Sequence, residues 1–147
     1  MKRILIAAAA IVAVGSTAVI AQSAAIGQRK EIMKGVGGAA KDPGAMMRGE
    51  VPFDLAKVQA SLKVYSEAAK KMPALFPDDS KTGGETTVLA AIWEKKADFD
   101  GIFAKFDKDA AAAAALVKDE ASFKAEWPKV MANCGACHKG YRVAPKQ

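Results

Sequence analysis

An all-α chain folded as an antiparallel four-helix bundle is what the sequence predicts, and three observations carry that reading. Apolar residues recur three and four positions apart over long stretches, the period of a helix with one buried face. No stretch sustains two-residue alternation rich in β-branched residues. The segments between the periodic runs are mostly short and polar, or hold glycine and proline, which favours helices packed against their chain neighbours. At 147 residues and 51% hydrophobic composition, the chain is long enough for one domain with a real core.

The start stands outside that core. "MKR" is a basic opening, "ILIAAAAIVAV" an uncharged apolar run, and "VIAQ" offers small residues where a signal peptidase cuts. This predicts a signal peptide over residues 1–21, cleaved after Ala21, and a bundle domain over residues 22–147. The alternative is an uncleaved membrane anchor, but the run lacks the length and flanking charge of a stop-transfer helix. No later segment is long and apolar enough to span a bilayer; "AAAAAALV" at 110–117 is short and alanine-rich. The mature chain is therefore expected in the periplasm. Loss of Lys2 and Arg3 with the leader takes the formal charge from +6 to +4. The lysines are scattered and no basic block carries interleaved aromatics, so nucleic acid is not expected as a partner.

The first mature segment, about 23–40, is the least regular. Ile26, Met33 and Val36 suggest a helix face, while Gly35, Gly37 and Gly38 each weaken a helix by about 1 kcal/mol relative to alanine. "KDPG" at 41–44 should break or kink it, with a further turn or two through Met46 and Met47. The second helix is clearer. Leu55, Val58, Leu62, Tyr65, Ala69 and Met72 form one stripe, Asp54 is a good N-cap, and Pro73 and Pro77 end it. A polar loop, "DDSKTGGET", follows at 78–86. The third helix is expected from near Thr87 to about Ala115, burying Leu89, Ile92, Phe99, Phe103, Phe106, Ala110 and Ala113. Asp119 caps the fourth, where Phe123, Trp127, Val130, Cys134, Cys137 and Tyr141 share a face. Pro128 should kink that helix or mark its regular start.

The only two cysteines and the only histidine of the chain fall within "CGACH" at 134–138. A redox disulfide of the thioredoxin kind would sit at a helix start after a strand, and here no strand precedes it. A structural zinc ion wants four ligands, and only three such side chains exist. The third reading is covalent attachment of one haem c, for which C-x-x-C-H is the pattern. Cysteines at i and i+3 lie on one helix face and can bond two edges of one porphyrin, and the histidine that follows meets the iron. Export across the membrane supplies the compartment in which such attachment occurs. The aromatics of the third helix and Trp127 suit the lining of such a cavity, and equally suit plain core. A sixth iron ligand cannot be histidine, so methionine remains. Met131 shares a helix with His138, Met72 ends a core stripe, and Met46 and Met47 follow the "KDPG" break. Met33, on the apolar side of the first helix, is the preferred candidate.

These motifs resemble the class II c-type cytochromes, the family of cytochrome c-prime and its low-spin relatives, over essentially the whole mature chain. "CGACHKGYR" at 134–142 is similar to the family's C-x-x-C-H followed by an aromatic and an arginine. "RKEIM" at 29–33, "GEVPFD" at 49–54 and "AIWEKKADF" at 91–99 match its other helix segments. The resemblance implies a four-helix bundle with haem near one end, held by Cys134 and Cys137, with His138 as proximal ligand. It implies that Arg29 and Arg142 lie near the haem and that Met33 takes the distal position. In low-spin members that methionine ligates the iron and the protein carries electrons. In cytochrome c-prime proper the distal residue does not ligate, and the iron binds nitric oxide or carbon monoxide. The expected role is one-electron transfer with periplasmic redox proteins, with gas binding as the alternative. No acid–base constellation near the motif suggests an enzyme. Oligomeric state stays open, a homodimer included.

Overall fold

The computed structural model describes residues 12–82 and 84–144, with side chains from residue 24 onward. The basic start of the expected signal peptide, residues 1–11, lies outside the described residues, as do the side chains around its expected cleavage point. Six helices follow in order: α1 (Val12–Ala39), α2 (Lys41–Met47), α3 (Leu55–Lys71), α4 (Ala91–Glu94), α5 (Lys96–Leu116) and α6 (Glu120–Tyr141). The long ones, α1, α3, α5 and α6, are the four members of the bundle.

Two aspartates start α3 and α6 as expected. The Asp54 carboxylate accepts the Lys57 N–H at 3.1 Å, and the Asp119 carboxylate accepts the Ser122 N–H at 2.8 Å. Ser122 Oγ accepts the Asp119 N–H in return, closing a capping box. Pro73 cannot donate to the Ala69 carbonyl, so α3 ends at Lys71 and tightens into a 3₁₀ turn over Met72–Leu75. A second 3₁₀ turn, Asp78–Lys81, follows Pro77 inside the expected loop.

Three expectations are corrected. The third helix does not begin near Thr87. Residues 85–88 are extended, Val88 bridges Arg142, and the Val143 N–H donates to the Thr87 carbonyl at 2.7 Å. Those backbone groups are committed to the C-terminal segment and cannot begin a helix. The helix starts at Ala91 and is then interrupted at Lys95, whose φ of −125° and ψ of 46° are not helical. Pro128 does not mark the start of α6, which begins at Glu120 and runs through it. Leu55 stays 37% exposed at the first turn of α3, although the rest of its stripe is buried.

The glycines do not end α1, which continues to Ala39. A single turn residue, Ala40, separates it from α2, whose third residue is Pro43. Pro43 lacks the N–H that would bond the Ala39 carbonyl, so the ladder is interrupted where "KDPG" predicts. Gly49, at φ 73°, ends the following turn in a conformation open to glycine.

Helix α3 packs between α1 and α5, and α5 packs on α6. Val58, Leu62, Phe99, Phe103, Phe106, Phe123, Trp127 and Val130 form the centre. Each large side chain there stabilises the fold by about 1.5–3 kcal/mol through burial. Ala110 and Ala113 bring α5 close to α3, and the Gln59 side chain donates across that seam to the Ala114 carbonyl at 2.9 Å. Between α5 and α6, buried Asn133 donates to the Asp109 carboxylate at 2.7 Å. The exception to this close packing lies where α1 faces α6. Met33 and Val36 are only partly buried there, because a cavity lies against them.

Candidate haem site

A cavity of about 960 Å³ opens between α1, α6 and the extended 85–88 segment, with α3 and α5 behind it. That volume is at the upper end of the range typical of ligand sites, about 300–1,000 Å³. Its wall is mostly apolar, built from Ile26, Met33, Val36, Ile92, Phe99 and Phe103, while Lys30, Lys34, Glu85 and Arg142 bring charge to it.

All six residues singled out in the sequence line this one cavity. Cys134 and Cys137 are half-buried free thiols on α6, one helical turn apart on the same face. Burial pushes both thiols up, Cys137 to about 11, with the Cys134 charge adding to that rise. They are therefore protonated at neutral pH, unlike the depressed thiol of a redox motif. Among the described residues no three His, Cys, Asp or Glu side chains converge on a metal-ion site. His138 is exposed as a residue but lines the cavity. Burial of its ring and then the charge of Arg142 hold it below the ordinary histidine value. The neutral imidazole so favoured is the form that ligates a metal.

The two arginines differ. Arg142 is exposed and extended at the end of α6, where its backbone bridges Val88. Arg29 is not on a solvated helix face; only 5% of it is exposed. Its Nε donates to the Leu75 carbonyl at 2.6 Å, and its Nη2 donates to the Ser80 hydroxyl. The guanidinium lies 4.0 Å from the centroid of the Phe76 ring. Burial lowers its pKa. Arg29 thus ties the two 3₁₀ turns to α1 and brings a positive charge to the cavity wall.

Sequence reasoning missed several lining residues. Thr86, Thr87 and Val88 were expected in loop or helix, and Met72 was assigned to the core although it also reaches the cavity. Tyr65 was seen only as one member of a stripe. Its ring is fixed between Phe106 and Trp127, with centroids 5.5 and 5.6 Å away. Its hydroxyl is the one buried side-chain polar atom without a hydrogen-bond partner among the described residues. Burial and the adjacent Cys134 both raise its pKa.

Comparison with known proteins decides what the cavity belongs to. The family model described as Cytochrome C' matches residues 24–142. The chain belongs to the cytochrome c' family. It is 49% identical over 143 residues to cytochrome c' of Rhodopseudomonas palustris, covering 97% of this chain and 98% of that protein. It is 36% identical to cytochrome c-556 of the same organism, covering 97% of each. A solved structure of cytochrome c' from Rhodopseudomonas palustris superposes with a TM-score of 0.81 at 50% identity, over 83% of this chain and 98% of that one. Members of the cytochrome c' family bind haem c covalently, and so this chain is a c-type haem cytochrome acting in electron transfer or gas binding. The residues present fit that group. The cavity offers apolar walls for a macrocycle, two thiols on one face, one neutral imidazole, cations for carboxylates, and an unpaired buried hydroxyl. No helix among the described residues is long and apolar enough to cross a membrane.

Proposed function

We propose that this chain is a periplasmic one-electron carrier rather than an enzyme. In this reading Cys134 and Cys137 hold the haem by thioether bonds, His138 is the proximal ligand and Met33 the sixth. The observation that carries it is the placement of Met33 on α1 and His138 on α6, two different helices lining one cavity. A thioether and an imidazole on separate helices would be the pair that holds the iron, His138 as proximal ligand and Met33 as the sixth. The bound haem supplies one-electron chemistry, and such a His/Met pair favours the reduced iron. The chain's own part is to exclude water through Phe99, Phe103 and Ile92, and to balance the haem carboxylates with Arg29, Lys30, Lys34 and Arg142. Acidic redox proteins of the periplasm are the partners this charge favours.

Export is supported by the pattern of coverage. The curated cytochrome c' aligns with almost all of this chain, whereas the solved cytochrome c' aligns with 83% of it although nearly all of the solved chain is used. A studied variant of the solved protein is substituted at its first residue, a glutamine, and at a phenylalanine and a tryptophan 31 and 71 residues later. Gln22, Phe53 and Trp93 have the same spacing here. Cleavage after Ala21 would make Gln22 the first residue.

One observation favours a second reading, a five-coordinate haem that binds nitric oxide or carbon monoxide: the chain is more similar to cytochrome c' than to cytochrome c-556. An optical spectrum of the purified protein, oxidised and reduced, tests both. A low-spin spectrum with weak carbon monoxide binding is expected. A high-spin spectrum with ready carbon monoxide binding would replace electron transfer by gas binding.

A further inference from the structure

Helix α1 is held unevenly. Ile26 and Arg29 are buried, and the next fully buried residue along the chain is Pro43, in α2. Met33 and Val36 lie in the span between, against the cavity. Gly35, Gly37 and Gly38 fall in it as well and weaken the helix there. The span that carries Met33 therefore takes its position from its two fixed ends. Arg29 is the nearer, about one helical turn before Met33.

That end is fixed by acceptors outside the cavity. Arg29 Nε donates to the Leu75 carbonyl at 2.6 Å, Nη1 and Nη2 reach the Ser80 carbonyl at 3.4 Å, and Nη2 also donates to the Ser80 hydroxyl. Neither Leu75 nor Ser80 lines the cavity. The acceptors are themselves held. Ser80 is 0% exposed and donates its hydroxyl to the Pro77 carbonyl at 2.7 Å. Trp93 Nε1 donates to the Phe76 and Pro77 carbonyls, each at 3.1 Å. Hydrogen bonds from a charged donor are the strong ones, and a planar fork fixes direction as well as distance.

We infer that Arg29 is a positioning residue for Met33: through Leu75 and Ser80 it sets how closely α1 lies over the distal face of the haem. The inference deepens the proposed function and rests on its placement of Met33 on that face, whether or not the sulfur ligates. A ligand that enters the sixth position must displace the Met33 side chain, and the anchored helix resists that displacement. This role needs the fork of the guanidinium and not only its charge.

The test uses Ser80→Ala and Arg29→Lys in the haem-loaded protein. The first removes one acceptor outside the cavity, and the second keeps the charge and removes the fork. Ser66→Ala is the control, because Ser66 donates to the Asp107 carboxylate at 2.5 Å between α3 and α5, away from α1. Met33→Ala is the reference for the distal face. Two quantities are read: the rate of carbon monoxide association with reduced haem, and amide hydrogen exchange along α1. Both anchor variants should bind carbon monoxide a few-fold faster and exchange faster over residues 30–36, and Ser66→Ala should do neither. A Ser80→Ala protein that matches wild type in both would overturn the inference, whether or not the lysine variant folds. A change in Arg29→Lys alone would overturn it too, by making Arg29 a direct contact of the cofactor. Exchange that quickens equally in every helix would be general loosening and would also overturn it. Failure of the underlying reading is distinguishable: Met33→Ala would then leave carbon monoxide association unchanged, and the inference falls with it.

Discussion

Replacing both cysteines, Cys134→Ala with Cys137→Ala, should yield a haem-free chain that does not keep the bundle described above. The cavity measures about 960 Å³. At about 24 cal/mol per Å³, the coefficient measured for emptied protein cores, a void of that size corresponds to about 23 kcal/mol. Its mouth is open, so water relieves much of this. Even one third, about 8 kcal/mol, matches the whole stability of an ordinary domain, about 5–15 kcal/mol. The walls of the cavity cannot stay apart without the cofactor. The expected product has much of its helical far-ultraviolet signal but loses near-ultraviolet fine structure and melts with a broad transition. Circular dichroism of the two forms, scanned with temperature, reads both effects. A haem-free variant that melts as sharply and as high as the haem form would refute the reasoning. It would mean that α1 closes on α6 and buries the half-exposed Met33, Val36 and Met131 without help.

Two further outcomes follow from named groups. Intact-mass measurement of the exported protein should give the chain from Gln22 plus one haem that survives denaturation; a chain with a disulfide and no haem would contradict attachment at Cys134 and Cys137. Acid should loosen the α5–α6 seam. Asn133 and then Lys105 hold the Asp109 carboxyl below its ordinary value, so its stabilisation is full above the ordinary aspartate range and is lost as pH falls through the lowered one. Asp109→Asn should flatten this part of the acid-denaturation profile, and a profile identical to wild type would show that the contact carries no pH dependence.

The bundle was legible because its determinants are local. Asp54 and Asp119 cap their helices from side chains within three residues, and the stripes of α3 and α6 need only the helical period. What was missed depends on distant partners. The 85–88 segment has no strand pattern of its own, and it is extended because residues 141–143 lie beside it and take its hydrogen bonds. Arg29 looks like any surface arginine in sequence. It is buried because Leu75 and Ser80, roughly fifty residues away in the chain, offer oxygens to it. The cysteines and histidine were singled out by their spacing alone, and Arg29, Arg142 and Met33 by their place in family motifs, and all six line the one cavity. Tyr65 gave no signal, since a tyrosine on a core stripe reads the same whether or not its hydroxyl finds a partner.

Three methionines line the cavity, Met33, Met72 and Met131, so the sixth ligand is a contest that substitution can decide. Met131 and His138 belong to the same helix, two turns apart, and Met131 therefore approaches from the proximal side. Met72 is 2% exposed and is held in the core at the end of α3. A side chain so enclosed must give up its packing before it can ligate. Met33 is partly buried on α1, a different helix from that of His138, and has less packing to give up than Met72. Met33→Ala should therefore turn a low-spin protein high-spin, open the iron to carbon monoxide, and lower the reduction potential, because the thioether that favours reduced iron is gone. Met72→Leu and Met131→Leu keep apolar volume and should leave spin state unchanged. If Met72→Leu alone produced the high-spin spectrum, the ligand would come from the 3₁₀ turn after α3 and the part assigned to α1 would be wrong. If all three variants matched a wild type that is already high-spin, no methionine ligates, Met33 is distal packing, and the open position is what makes the protein a gas-binding one.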